Sequence, residues 1–333
     1  MTTPEPDLDP ALVHDVTARL REEIGKAVAG QEGVVNTLLL ALFCHGHCLL
    51  VGVPGLAKTL LVRSLAQSLG LDFSRIQFTP DLMPGDILGS EILHERGGSV
   101  EFDFQRGPVF AHLVLADEIN RTPPKTQSAL LEAMQERRVT VARETRPLPE
   151  PFLVVATQNP IEHEGTYPLP EAQLDRFMFS IELGYPGKEV EMEIVRRTTA
   201  SEEAVLSPVV SRQELLDVGR IVRAVPVADH VIRYAVDLAA ATRPGEPDAA
   251  KVAADYIEWG AGPRASQCLV LAAKALALMS GLSAPETAQV RKVAPYVLAH
   301  RIVPNYRATG DKLSATALVA RLLEETPEPN YRA

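Results

Sequence analysis

Residues 52–59, Gly-Val-Pro-Gly-Leu-Ala-Lys-Thr, stand between a compact apolar run, Cys48-Leu-Leu-Val51, and a helical pattern from Lys58 to Leu69. A Gly/Pro loop that joins strand to helix and closes on Lys-Thr nearly fits G-x-x-x-x-G-K-[ST], with Ala57 where glycine is usual. Such a loop has three chemical requirements. The backbone N–H groups of Gly55, Leu56, Ala57 and Lys58 must point inward as an anion nest at a helix N-terminus. The Lys58 ammonium must reach the β- and γ-phosphates of ATP, and the Thr59 hydroxyl must ligate Mg2+. The methyl of Ala57 is tolerated if that residue has helical φ, because only positive φ demands glycine. Gly52, Pro54 and Leu60 complete the contact set of the loop. A chance turn between strand and helix would not require Lys-Thr at this position.

A second apolar run, His112 to Ala116, ends in Asp117-Glu118. Two adjacent carboxylates at the end of a buried strand are costly to desolvate, and a magnesium ion offers compensation. Asp117 would hold the ion directly or through water, and Glu118 would orient and polarise an attacking water. Alone, this pattern is also that of a simple strand cap; with Lys58-Thr59 upstream it becomes a catalytic pair. A third run, Val154-Val-Ala-Thr-Gln-Asn159-Pro160, brings Asn159 to a strand end. Strand C-termini share one edge of a parallel sheet, so Asn159 falls beside Asp117 and the phosphate loop. It would bond the γ-phosphate or the attacking water, or else form a turn before Pro160.

The first half of the chain alternates apolar runs with helical patterns. Helices are predicted over 12–28, 34–43 and 58–69, and further strands at 75–78, 112–116, 151–156 and 178–183. The pattern predicts an α/β fold with a parallel sheet covered by helices on both faces. A hairpin of 90–94 and 99–104 about Arg96-Gly97-Gly98 interrupts it. After Gly184-Tyr185-Pro186-Gly187 the chain lacks clear strands and gives five or six helical segments, including 212–225, 230–241, 264–279, 285–300 and 314–325. The domain boundary is placed near 185, between an α/β core (1–185) and an all-helical C-terminal domain (186–333).

Two arginines fit phosphoryl-transfer chemistry. Arg176, in Glu171-Ala-Gln-Leu-Asp-Arg176-Phe177, can stabilise charge on a transferred phosphoryl or pair structurally with Asp175 or Glu171. Arg264 opens a helix just after Pro263, where a cation opposes the helix dipole and so points to an anionic partner.

Composition narrows the function class. The 333 residues carry 33 basic and 43 acidic side chains, a formal net charge of −10, with 46% apolar and 23% charged residues. An acidic chain without a basic block is a poor binder of DNA or RNA backbones. No run approaches the ~18 apolar residues of a membrane span, and the acidic, Pro-rich start MTTPEPDLDP does not read as a signal peptide. Three cysteines, Cys44, Cys48 and Cys268, give no disulfide framework and point to a reducing, cytoplasmic compartment. Cys44-His45-Gly46-His47-Cys48 has poor spacing for zinc, and reads as buried cysteines with junction histidines. Arg137-Arg138 reads as a solvated face or a contact with a neighbour, and Thr122-Pro-Pro as a helix start.

The motifs in this order resemble the AAA+ ATPases, and more narrowly the MoxR family. The resemblance rests on 52–59, Leu115-Ala-Asp-Glu-Ile-Asn-Arg121, Ala156-Thr-Gln-Asn-Pro160, the stretch 164–177 and Gly260-Ala-Gly-Pro-Arg-Ala265, and it spans nearly the whole chain. It implies a P-loop core with a helical lid, assembled as a homo-oligomeric ring, usually a hexamer. It implies Asn159 as first sensor, Arg264 as second sensor in cis, and Arg176 as an arginine finger given to the neighbouring subunit. Gly30-Gln31 would lie near the adenine, and the 90–104 hairpin would be an insertion facing the pore or the client. The implied activity is ATP hydrolysis coupled to remodelling, maturation or metal-cofactor insertion of a protein partner, including partners with a von Willebrand factor A domain. Gly262 departs from the serine of the family form and loosens the start of the lid helix. A nucleic-acid motor and a nucleotide-gated binding switch are the alternative readings.

Overall fold

The computed structural model describes residues 9–96, 99–161, 165–200 and 204–329. Five parallel strands form the central sheet in the spatial order Phe73–Gln77, Leu113–Asp117, Leu153–Gln158, Cys48–Val51, Phe179–Glu182. Alternate residues of each strand point to opposite faces. Cys48, Leu50, Leu113, Leu115, Leu153 and Val155 therefore enter one apolar cluster, while Leu49, Val114, Ala116, Val154 and Ala156 enter the other. Both faces are covered, which is why these strands read as unbroken apolar runs rather than alternating ones. The first face is covered by Ala11–Gly25, Glu32–Phe43 and Lys58–Leu69 and by helices of the second half; the other by Pro84–Leu88 and Pro124–Glu136.

Most predicted elements occur with shifted ends. The first helix stops at Gly25 rather than 28, and the second strand runs Phe73–Gln77, fixed by its register with Leu113–Asp117. The predicted hairpin is present as Gly89–Arg96 paired with Ser99–Arg106. Its turn, Gly97-Gly98, lies outside the described residues. A second hairpin, Arg138–Val141 with Glu144–Pro147, has no counterpart in the sequence reading. Its two-residue loop, Ala142-Arg143, has φ of +52° and +68°, a conformation that Asn and Gly normally mark. With Ala-Arg there the usual signal is missing. Arg138 thus begins a strand, pairing with Glu136, while Arg137 caps the preceding helix and donates to the His45 carbonyl at 3.0 Å.

Beyond Glu182 the described residues form eight helices and one short ladder, Ile257–Trp259 with Val303–Pro304, which the sequence did not reveal. Helix Arg212–Ala224 starts on a capping box, with Ser211 and Glu214 each satisfying the other's amide. Helix Pro263–Met279 starts at Gly262, which offers no side-chain cap, so the missing serine oxygen is a real local loss. This helix packs against Ala11–Gly25 and Thr287–Leu298, joining the two halves through one apolar cluster.

The Cys44–Cys48 segment is structural. Cys44 and Cys48 are buried. The Val154 amide donates to His47 Nδ1 at 3.0 Å, which leaves the ring proton on Nε2 to donate to the Met134 carbonyl at 3.1 Å. Burial pushes the His47 imidazole down to about 4.

Candidate functional site

The sheet order brings the predicted motifs together. The strand ending at Val51 lies beside the one ending at Gln158, which lies beside the one ending at Asp117, all parallel. The phosphate loop, Asn159 and the Asp117-Glu118 pair therefore share one sheet edge.

The loop is held open by backbone geometry. Gly55 has φ +86°, and Ala57 has φ +55°, in the left-handed region. The condition for tolerating a methyl at Ala57, helical φ, is not met: this residue adopts the conformation that glycine favours, with helix Lys58–Leu69 starting immediately after it. Gly52 packs so closely on Leu183 that an added Cβ would lie 2.8 Å from the Leu183 Cβ. Lys58 Nζ donates to the Gly52 carbonyl at 2.6 Å, folding back across the loop. Thr59 is half-buried, and Pro54 and Leu60 are exposed at the rim.

Asp117 is accepted into a polar cage. Thr157 Oγ1 donates to Asp117 Oδ1 at 2.7 Å, and Arg75 Nη2 donates to Oδ2 at 2.6 Å. Glu118 has φ +57°; its Oε2 accepts from Gln77 at 3.1 Å and from Arg121 at 3.0 Å. Thr157, Arg75 and Gln77 were not singled out in the sequence. Thr157 sits inside the Asn159 motif, and Arg75 and Gln77 lie on the adjoining edge strand, where alternation alone does not tell a functional polar residue from a solvated one. Asn159 is 4% exposed; Oδ1 accepts from the Ile161 amide, while Nδ2 has no partner among the described residues.

Gly30 and Gln31 meet the loop. A cavity of about 430 Å³ is lined by both, by Gly55, Leu56 and Ala57, by 181–187, and by Tyr296 from the second half. Gln31 Nε2 donates to the Leu56 carbonyl at 3.0 Å.

The two arginines lie elsewhere. Arg176 and Arg264 line a separate cavity of about 920 Å³ between the two halves, together with Arg137, Arg223, Arg243, Lys274 and Arg301. Asp175 is the one carboxylate among its lining residues. Arg176 pairs with neither Asp175 nor Glu171 among the described residues; Asp175 instead accepts from Arg264 at 3.1 Å and Arg301 at 2.8 Å. The anionic partner that Arg264 needs at its helix start is thus within the chain. Arg264 is not among the lining residues of the phosphate-loop cavity.

Among the described residues no helix is long and apolar enough to cross a membrane. Residues 47–179 match the family described as ATPase family associated with various cellular activities (AAA), and residues 249–322 match an AAA lid domain. The chain is 45% identical to Chaperone MoxR1 of Mycobacterium tuberculosis, over 93% of this chain and 82% of that protein. It is 31% identical to Protein MoxR of Methylorubrum extorquens, over 95% of this chain and 96% of that one. A crystal structure of a Cytophaga hutchinsonii protein, assigned as an ATPase, superposes with a TM-score of 0.88 at 42% identity, covering 96% of this chain and 97% of that one. With the fold, the nucleotide-site motifs and these relatives in agreement, the chain belongs to the MoxR family of AAA+ ATPases.

Proposed function

We propose that this chain binds and hydrolyses ATP with Mg2+ in a ring of identical subunits, a hexamer, and uses the turnover to remodel a protein client. The observation that carries the hydrolytic part is the convergence of Lys58-Thr59, Asn159 and Asp117-Glu118 on one edge of the parallel sheet. The residues fit a magnesium nucleotide. Asn159 Nδ2 is a buried amide donor with no partner among the described residues, and Gly30 lines a cradle that its own Cβ would fill against Val190.

Thr59 and Asp117 would hold the metal, which when bound neutralises charge on the β- and γ-phosphates. Lys58 exchanges its bond to the Gly52 carbonyl for a phosphate oxygen. Glu118, fixed through Oε2 by Gln77 and Arg121, polarises the attacking water and takes its proton. Asn159 orients that water or the γ-phosphate. Gly30 and Gln31 wall the base end of the cavity.

Ring assembly is supported by Arg176. It makes no ion pair among the described residues and lines a cavity of seven cations and one carboxylate, in a chain of net charge −10. A cation-rich wall in a cavity that its own phosphate loop does not line suits the phosphates of a neighbouring subunit. Arg264 shares that wall in contact with Asp175, and we keep it as the second sensor for the nucleotide of its own subunit. The chaperone relative favours a protein client over nucleic acid, as does the acidic surface. A client or partner with a von Willebrand factor A domain, served by maturation or metal-cofactor insertion in the cytoplasm, completes this reading.

Glu118→Gln tests it. The variant should bind ATP within about twofold of wild type and lose at least ~100-fold in phosphate release, in line with removal of a general base. Wild-type release would overturn the mechanism. Capture by this variant loaded with ATP identifies the client.

A further inference from the structure

The end of one lid helix grips the backbone on both sides of Arg176. Arg301, just beyond helix Thr287–Leu298, has a side chain that is 2% exposed. A guanidinium has five N–H donors, and here five oxygens lie within their reach, with His300 Nε2 2.8 Å from Nη1 as a further partner. Nε donates to Asp175 Oδ1 at 2.8 Å, and Nη2 to the Asp175 and Phe177 carbonyls at 3.2 and 2.7 Å. Nη1 donates to the carbonyls of Met178, at 3.2 Å, and Val297. The second Asp175 oxygen accepts from Arg264 on another lid helix, and His300 Nε2 lies 3.0 Å from the Phe177 carbonyl. Every residue bracketing Arg176 is thus tied to the lid, while the Arg176 side chain has no ion pair among the described residues.

The same helix reaches the other site. Tyr296, five residues before Arg301, lines the cavity that Gly30, Gln31 and the phosphate loop form. Helix Thr287–Leu298 and the turn that directly follows it therefore touch the nucleotide cavity of their own subunit and the segment that carries the finger toward the next.

We propose that Arg301 and Asp175 form a strut that positions Arg176, so that nucleotide occupancy felt at Tyr296 sets how the finger is presented to the neighbouring subunit. This rests on the reading of Arg176 as acting in trans. Arg301 is then a positioning residue. An ion pair with a purely structural task would change folding stability when broken and nothing more. Coupling between two sites, by contrast, is read as an effect of one on the other.

The test uses full-length Arg301→Lys, which keeps the charge but has three donors instead of five. Alone it should keep KM within twofold and lose at least fivefold in kcat. Three dopants, each silenced by Glu118→Gln, are then mixed with wild type: Glu118→Gln alone, with Arg176→Ala, and with Arg301→Lys. The Arg176→Ala dopant should depress wild-type turnover below that seen with Glu118→Gln alone, and the Arg301→Lys dopant should reproduce at least half of that drop. If Arg176→Ala depresses turnover and Arg301→Lys does not, the strut is wrong and the finger stands. If Arg176→Ala has no effect, the trans reading itself fails. Hydrogen exchange gives a readout apart from activity: the 176–178 amides should change protection on adding a non-hydrolysable ATP analogue in wild type, and not in Arg301→Lys. No change in wild type overturns the proposal. Should Arg301→Lys lose its cooperative melt, Asp175→Asn replaces it under the same criteria.

Discussion

The Thr157 hydroxyl donates to Asp117 Oδ1 at 2.7 Å and accepts from the Glu118 amide at 2.8 Å, so one buried side chain fixes both carboxylate residues. Thr157→Val keeps the shape and removes both bonds. It strands a buried amide and weakens the hold on Asp117, and should destabilise the protein by about 1–3 kcal/mol. Urea unfolding measures that loss, and kcat should fall by about tenfold or more as the carboxylates lose their fixed orientation. A variant as stable and active as wild type would remove Thr157 from the site.

Gly30→Ala addresses the nucleotide cradle. Gly30 has φ +68°, and its added Cβ would meet Val190 Cγ1 at 2.1 Å. Left-handed φ costs a non-glycine residue about 1–2 kcal/mol, and relief of the clash must shift Val190, which lines the same cavity. Nucleotide affinity should weaken several-fold in equilibrium titration, while Gly310→Ala, outside that cavity and with open space at its Cβ, should leave it unchanged.

Ala57→Gly gives the opposite sign. At φ +55° alanine bears the left-handed cost of about 1–2 kcal/mol, whereas glycine loses about 0.4–1 kcal/mol through the entropy of the unfolded chain. The first effect is the larger, so stability should rise by up to about 1 kcal/mol in denaturant titration. A fall would mean that the Ala57 methyl makes contacts that outweigh its backbone strain.

Stability should fall as the solution is acidified from pH 6.5 toward 4. His47 is held neutral at about 4 by burial, and its Nδ1 already accepts from Val154, so the native state binds fewer protons than the unfolded chain across this range. Its contribution is complete above the unfolded value near 6.5 and is lost as pH drops through the folded one, by at most about 3 kcal/mol. Burial lowers His45 and His300 in the same direction. Urea midpoints across pH 4–7 should show this slope, and His47→Gln should flatten part of it.

Lys58-Thr59 was legible because it ends the Gly/Pro loop that follows an apolar run, and Asp117-Glu118 and Asn159 because they close apolar runs; parallel strands put such ends on one edge whatever the details of packing. The helices of the second half were legible from apolar periodicity, with ends correct to a few residues. The loop geometry of Ala142-Arg143 and the φ of Ala57 were not, since neither residue type announces a left-handed conformation.

The sequence by itself determined the phosphate loop, the carboxylate pair and the α/β-then-helical order, because these depend on neighbours in the chain. Only the tertiary structure decided which partners the arginines meet. Asp175 meets Arg264 across 89 residues and Arg301 across 126, and no local pattern ties those positions together. Their meeting depends on how the lid helices dock, and docking is driven by apolar packing that is non-directional and shared among many similar Ala- and Leu-rich faces. Polar partners such as Asp175 and Arg301 are chosen only once that packing has set the distances, which is why Arg264 read as a helix-start cation and proved to be one arm of a carboxylate bridge beside Arg176.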